Sequence, residues 1–150
     1  MNFSFRGAPE TSAPVGKVWR RLVDPMIVGA AGPGVQRVVV KDPTHFQVIT
    51  GIKVGSFKVE FVMNVELHDL APEREFRMTA RGKATGSSIQ VDSHVNLEPL
   101  PSGHTRLNWR ANTEIGGILA RIAGKRLETV ARDLTERFWQ RFVDETEAAA

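Results

Sequence analysis

Residues 57–67 read Phe57-Lys58-Val59-Glu60-Phe61-Val62-Met63-Asn64-Val65-Glu66-Leu67. Phe57, Val59, Phe61, Met63, Val65 and Leu67 alternate with Lys58, Glu60, Val62, Asn64 and Glu66, and of these spacers only Val62 is apolar. A period of two is the pattern of a strand with one buried face and one wet face. The same alternation recurs on both sides. Upstream it marks Val38 and Val40, then Phe46, Val48, Thr50 and Ile52. Downstream it marks Phe76, Met78 and Ala80, then Ile89, Val91, Ser93, Val95 and Leu97, then Leu107, Trp109, Ala111, Thr113 and Ile115. Turn residues separate the runs at Asp42-Pro43, Val54-Gly55-Ser56, Ala71-Pro72-Glu73, Gly82–Gly86 and Pro99–Gly103. Residues 35–115 thus predict six consecutive antiparallel strands in a meander.

The flanks change period. Asn2–Gly7 alternates, with Phe3 and Phe5 on one side, and predicts a first strand. Ser12-Ala13-Pro14 suits a helix start, with Ser as the cap. Val15, Val18, Trp19, Leu22 and Val23 then recur at helical spacing up to Asp24-Pro25. Met26–Ala30 predicts one or two further turns, stopped by Gly32-Pro33-Gly34. Gly117–Glu147 predicts one helix of about 30 residues, roughly 45 Å long. Leu119, Ala123, Leu127, Val130, Ala131, Leu134, Phe138 and Phe142 form its apolar stripe. The expected architecture is α+β: a curved antiparallel sheet of about seven strands around a long C-terminal helix, in one domain spanning 1–150. A sheet that curls around one helix is hard to fill to native density, so leftover volume is expected between them.

Composition narrows the chemistry. The 150 residues include no Cys, which removes disulfides, thiolate metal sites and thiol nucleophiles. The balance of 20 basic and 17 acidic residues is mild and interleaved, and Arg20-Arg21 is the longest basic run, so a nucleic-acid stripe is not expected. The longest stretch without a charged residue, Pro25–Gln36, is too short to span a bilayer, and the N-terminus lacks a secretory pattern. The reading is a soluble, cytoplasmic protein. His45, His68, His94 and His104 show no metal-ligand spacing, and no nucleophile elbow or phosphate loop is present. Neither a catalytic residue nor a metal site is predicted, and no cofactor is required.

The order Phe5, Gly7, Ala13-Pro14, Val18-Trp19, Leu22, Asp24-Pro25, Pro33-Gly34, Val54-Gly55, Leu67, Asp69, Gly82 and Gly86 resembles the START-like (SRPBCC), helix-grip superfamily. With Gly103, Thr105, Leu107, Ile115-Gly116-Gly117, Leu119-Ala120, Gly124 and Arg126-Leu127, the chain resembles the carbon monoxide dehydrogenase G-subunit family. Ala31-Gly32 departs from a pattern in which Cys often precedes Pro-Gly, and no apolar anchor follows the last helix. The resemblance implies a cavity for a hydrophobic quinone- or lipid-like ligand. It also implies an accessory role beside a molybdenum-containing carbon monoxide dehydrogenase, with peripheral contact on the inner face of the membrane.

Candidate ligand contacts are Trp19, Phe57, Phe61, Met63, Met78, Ser93, Trp109, Thr113, Leu134, Phe138 and Arg141. Each aromatic or Met also suits an ordinary core. Ser93 and Thr113, with Thr50, are either internally bonded hydroxyls or anchors for a ligand head group. Arg141 either snorkels to water or guards the cavity mouth. Met26, Gly29, Gly32 and Gly34 are the expected gate. Trp139 and Val143 fall off the stripe as an exposed pair, read as chance, tail contact or a partner-docking spot. Two rival functions stay open: a polyketide cyclase/aromatase-like enzyme, which needs inward acid/base groups, and a protein-interaction module with a filled core.

Overall fold

Alternation in the sequence becomes strand in the computed structural model, which describes residues 1–84 and 86–150 and leaves the Phe57 side chain outside the described residues. The chain begins with β1 (Asn2–Gly7), β2 (Glu10–Thr11), α1 (Val15–Leu22) and α2 (Pro25–Ala30). The meander follows as β3 (Val35–Asp42), β4 (His45–Val54), β5 (Phe57–Ala71), β6 (Glu75–Ala84), β7 (Ser87–Pro99) and β8 (Thr105–Gly117). Two helices, α3 (Ile118–Ala123) and α4 (Arg126–Ala148), close the chain. The sheet order is β1-β8-β7-β6-β5-β4-β3, all antiparallel, and the two-residue β2 adds beside β1 on β8. The expected α+β architecture is therefore present, with β2 as an extra short strand that two residues could not announce by periodicity.

The register places the alternating residues as predicted. One row across the inner face runs Phe46–Val65–Ala80–Val91–Thr113–Phe3, and another runs Val48–Met63–Gly82–Ile89–Ile115. Trp109 stands opposite Gly7, and a Cβ on Gly7 would meet the indole at 2.7 Å. Glycine is required there to give the ring space, independent of backbone angle.

Two local expectations are corrected. Ser12 does not cap α1: Pro14 holds the cap position without a side-chain bond, and the Ser12 hydroxyl donates to Glu147 Oε2 at 3.2 Å. The cap that forms is at α2, where Asp24 accepts the Met26 N–H at 3.0 Å and Pro25 opens the helix. The single long C-terminal helix is instead two. Gly124 adopts φ +52, ψ −126, which breaks the ladder between α3 and α4. The 23 residues of α4 span about 35 Å.

The Gly116-Gly117 pair has a backbone explanation. Gly117 takes φ 84, ψ −150, a region open essentially only to glycine. Its Cβ, if present, would run into the Gly86 carbonyl, the same oxygen that accepts the Ile118 N–H at 2.8 Å. The chain thus turns from β8 into α3 over the β6–β7 hairpin. Gly117→Ala is expected to lower unfolding free energy by about 2 kcal/mol or more. Gly103→Ala, at φ +86 but with open space around the added carbon, is expected to cost about half as much. Urea unfolding of the two variants checks the difference.

Candidate functional site

The buried apolar residues form two clusters. The larger one includes Trp19, Leu22, Phe46, Phe76, Val95, Trp109, Trp139, Phe142 and Val143. The smaller one joins Val54, Phe61 and Ile115 to Leu119, Ala123 and Leu127 of the closing helices. Aromatic contacts hold the first together. Trp109 of β8 stacks on Trp139 of α4 at 5.7 Å and 16°, with Phe142 and Phe138 edge-on to Trp139. Trp19 of α1 meets Phe76 edge-on at 5.8 Å. Each such pair contributes about 1 kcal/mol beyond its burial.

Between these clusters the facing residues are small. The middle of the inner face carries Ala80, Gly82, Ser93, Ala111 and Thr113, and α4 presents Ala131 and Thr135 toward it. Side chains of this size cannot meet across a helix–sheet gap set by tryptophans at one end and leucines at the other. The result is a cavity of about 250 Å³. One water needs only ~15 Å³ of such space, so the volume is large enough for an organic guest.

Its wall is apolar and uncharged. Val28, Phe46, Val48, Met63, Val65, Phe76, Met78, Val91, Leu134, Phe138 and Trp139 contribute to it, and no Asp, Glu, His, Lys or Arg is among its described lining residues. Four of the described lining residues carry hydroxyls. Thr50 donates to the Pro33 carbonyl at 3.2 Å, and Thr135 donates to the Ala131 carbonyl at 2.7 Å. Ser93 and Thr113 face the same space from β7 and β8. Hydroxyls committed as donors keep lone pairs, so the wall offers neutral hydrogen-bonding groups and no formal charge.

The sequence candidates divide on this geometry. Met63, Met78, Ser93, Thr113, Leu134 and Phe138 come together around the cavity, as do Gly29 and Gly32 at its α2 side. Trp19, Phe61 and Trp109 do not line it; they sit in the two clusters, at 8%, 0% and 7% exposure. The Phe57 side chain lies outside the described residues. Met26 is 56% exposed on the outside of α2. Gly34 is held at φ +75, and its carbonyl accepts the Gly51 N–H at 3.0 Å.

Two helix-face expectations are overturned. Arg141 does not point to the sheet: it is exposed and donates to Glu145 at 3.0 Å along the outer side of α4. Trp139 and Val143 are buried, not exposed, and Trp139 lines the cavity. The break at Gly124 and the presence of α1 explain both. Near its C-terminus α4 is covered by the sheet on one side and α1 on another, so its buried stripe is Trp139, Phe142, Val143 and Thr146. Arg21 of α1 donates to the Thr146 hydroxyl at 3.0 Å. Of the residues missed by sequence reasoning, Phe46 carried only the general signal of inward strand parity, Val28 only its place in a short apolar helix, and Thr135 no signal at all.

The histidines lie away from this cavity. His68 shares a hydrogen bond with Thr79 on the outer face at 2.9 Å, and His45 sits in the Asp42 turn. Among the described residues no three His, Asp or Glu side chains are grouped to hold a metal ion. Among the same residues, no helix is long and apolar enough to cross a membrane.

A model of the carbon monoxide dehydrogenase G-subunit (CoxG) family matches residues 7–146. The chain belongs to that family. No curated protein matches it in sequence. Among solved structures it is similar to a conserved protein from Geobacillus kaustophilus, at TM-score 0.85 and 22% identity over 97% of this chain and 95% of that one. It is also similar to a START superfamily protein from Mycobacterium smegmatis, at TM-score 0.74 and 10% identity, covering 97% of each chain. The Zhui aromatase/cyclase from Streptomyces sp. R1128 follows at TM-score 0.70 and 16% identity over 98% and 94%. This CoxG-family member thus has the START-like, helix-grip fold.

The cavity of this CoxG-family member depends on α4 being fixed at both ends. At the C-terminal end Glu147 Oε2 accepts the Ser12 N–H at 3.1 Å, the Ser12 hydroxyl at 3.2 Å and the Thr11 hydroxyl at 3.4 Å. The Ser12 N–H is the largest cause holding the Glu147 carboxyl below the ordinary glutamate range, with the Ser12 and Thr11 hydroxyls adding to it. A carboxylate whose folded pKa is lowered contributes stability above its unfolded pKa and loses it as pH falls through the folded one. Wild type is therefore expected to lose thermal stability relative to Glu147→Gln as pH drops below the usual glutamate range. Melting curves between neutral pH and pH ~3 check this; parallel curves would contradict it.

Proposed function

We propose that this protein binds a neutral, hydrophobic small molecule of quinone- or lipid-like character between α4 and the inner face of the sheet. The reading rests on one observation: a cavity of about 250 Å³ whose described lining residues are apolar or hydroxyl-bearing, without a charged group. An apolar cavity of this size holds water poorly and gains dispersion contacts from an apolar guest. A carboxylate or ammonium placed there would lose its hydration without a counter-charge, so ionised ligands are disfavoured. Ser93 and Thr113 are positioned to meet a carbonyl or hydroxyl of the guest. Phe138, Met63 and Met78 provide its adaptable apolar wall.

The rival readings fare worse on the same geometry. A cyclase mechanism needs an acid or base at the wall, and a pure interaction module needs an interior without such space. Membership of the CoxG family supports service beside a molybdenum-containing carbon monoxide dehydrogenase, with the protein at the inner face of the cytoplasmic membrane and without a cofactor of its own. Gly29, Gly32 and Pro33 border the cavity at α2, whose Met26 and Ala30 are exposed to solvent, and are the proposed gate.

Organic extraction of protein from its native host, followed by mass spectrometry, is expected to return a neutral apolar molecule at near-stoichiometric yield. Ala131→Phe, which fills the cavity from α4, is expected to cut that yield at least tenfold without lowering the melting temperature. An empty wild type, or a variant that keeps its full load, would reject the cavity as the binding site. Removal of the protein from a host with the molybdenum enzyme is expected to lower carbon-monoxide-driven respiration. Activity of the extracted enzyme with a soluble acceptor should stay unchanged in the same strain.

A further inference from the structure

Charge is segregated in this molecule in a way the whole-chain balance conceals. The β4–β5 hairpin, the β6–β7 hairpin and the β8–α3–α4 corner meet at one pole, through the Gly86 carbonyl bonded to the Ile118 N–H and through Gly55 beside Arg126. Residues 51–59, 82–89 and 115–127, which build it, contain Lys53, Lys58, Lys83, Arg121, Lys125 and Arg126, and no Asp or Glu. All six cations are exposed. The remaining chain therefore holds 14 of the 20 basic residues and all 17 acidic ones, and is net negative. The nearest carboxylates along the chain are Glu60, Glu114 and Glu128, of which Glu128 is engaged by Arg132 at 3.2 Å.

At the same pole α3 exposes two large aliphatic side chains. Ile118 is 43% exposed and Ile122 is 54% exposed, one helical turn apart, while Leu119 and Ala123 on the neighbouring face are buried in the smaller cluster. Arg121 and Lys125 flank the isoleucines. Unbranched cationic stems around a pair of protruding aliphatic groups fit a surface with phosphate groups above and acyl chains below.

We propose that this pole docks the protein on an anionic lipid bilayer, with Ile118 and Ile122 inserted below the phosphates and the six cations at the headgroup level. This surface deepens the proposed function and rests on that reading only for its purpose. Ile52 and Ile89, which line the cavity, also pack against the cluster that carries α3, so docking brings that end of the cavity toward the bilayer.

Sedimentation with vesicles tests it. Wild type is expected to bind vesicles rich in phosphatidylglycerol and to be left in solution by pure phosphatidylcholine, with binding lost in high salt. Each basic residue near such a surface is worth about fivefold in affinity, so Arg121→Glu/Lys125→Glu is expected to weaken binding at least ~25-fold. Ile122→Ser, at a site too exposed to disturb folding, is expected to weaken it several-fold. Ala131→Phe is expected to bind vesicles as wild type does, which separates this surface from the ligand cavity. Wild type that ignores anionic vesicles, or pole variants that bind as well as wild type, would overturn the proposal.

Discussion

Helix α4 is held away from the sheet by large side chains at its two ends and faces small ones between them. The Trp109–Trp139 stack is one strut, and Leu127, beside Leu119 of the adjoining α3, packs with Phe61 and Ile115 to form the other. Ala80, Ser93 and Ala111 below and Ala131 above cannot fill the span so defined. Closing the gap would require the rings to interpenetrate, because protein interiors are too densely packed to yield at the struts. Emptiness is thus imposed by the ends. The gap costs contact energy that larger residues would recover, and its persistence in a small chain is the physical basis for assigning it a guest.

The remaining features serve that geometry. Glycines act at places where a side chain has nowhere to go: Gly7 under the Trp109 ring, Gly117 against the Gly86 carbonyl. The Glu147 bonds to Thr11 and Ser12 and the Arg21–Thr146 bond tie the far end of α4 to the chain around α1. Charge is kept off the inner wall and gathered at the pole beneath α3. A neutral cavity and a cationic, aliphatic-tipped end thus border the same smaller cluster from inside and outside.

Much of this was legible in the residues. Strand parity correctly turned Phe61, Met63, Val65 and Leu67 inward, because alternation is a local consequence of the pleat. It could not say which inward residues would touch one another and which would border space. Met63 and Met78 reached the cavity, while Phe61 and Trp109 became struts and Trp19 packed on Phe76 under α1, since the difference depends on the partner across the gap. The phase of α4 was misjudged for a similar reason. A helical wheel assumes one neighbouring surface, and α4 has two near Trp139, Val143 and Thr146, which placed an expected surface pair in the core and Arg141 in water.

The sequence alone determined the α+β class and the six-strand meander, because these follow from periodicity and from turn residues whose backbone needs are local, and its motif order carried the family resemblance. Tertiary structure decided the break at Gly124, the burial of Trp139 and Val143, and the volume between helix and sheet. Those outcomes are set by distances between residues far apart in the chain, and a cavity is defined by the atoms that fail to meet.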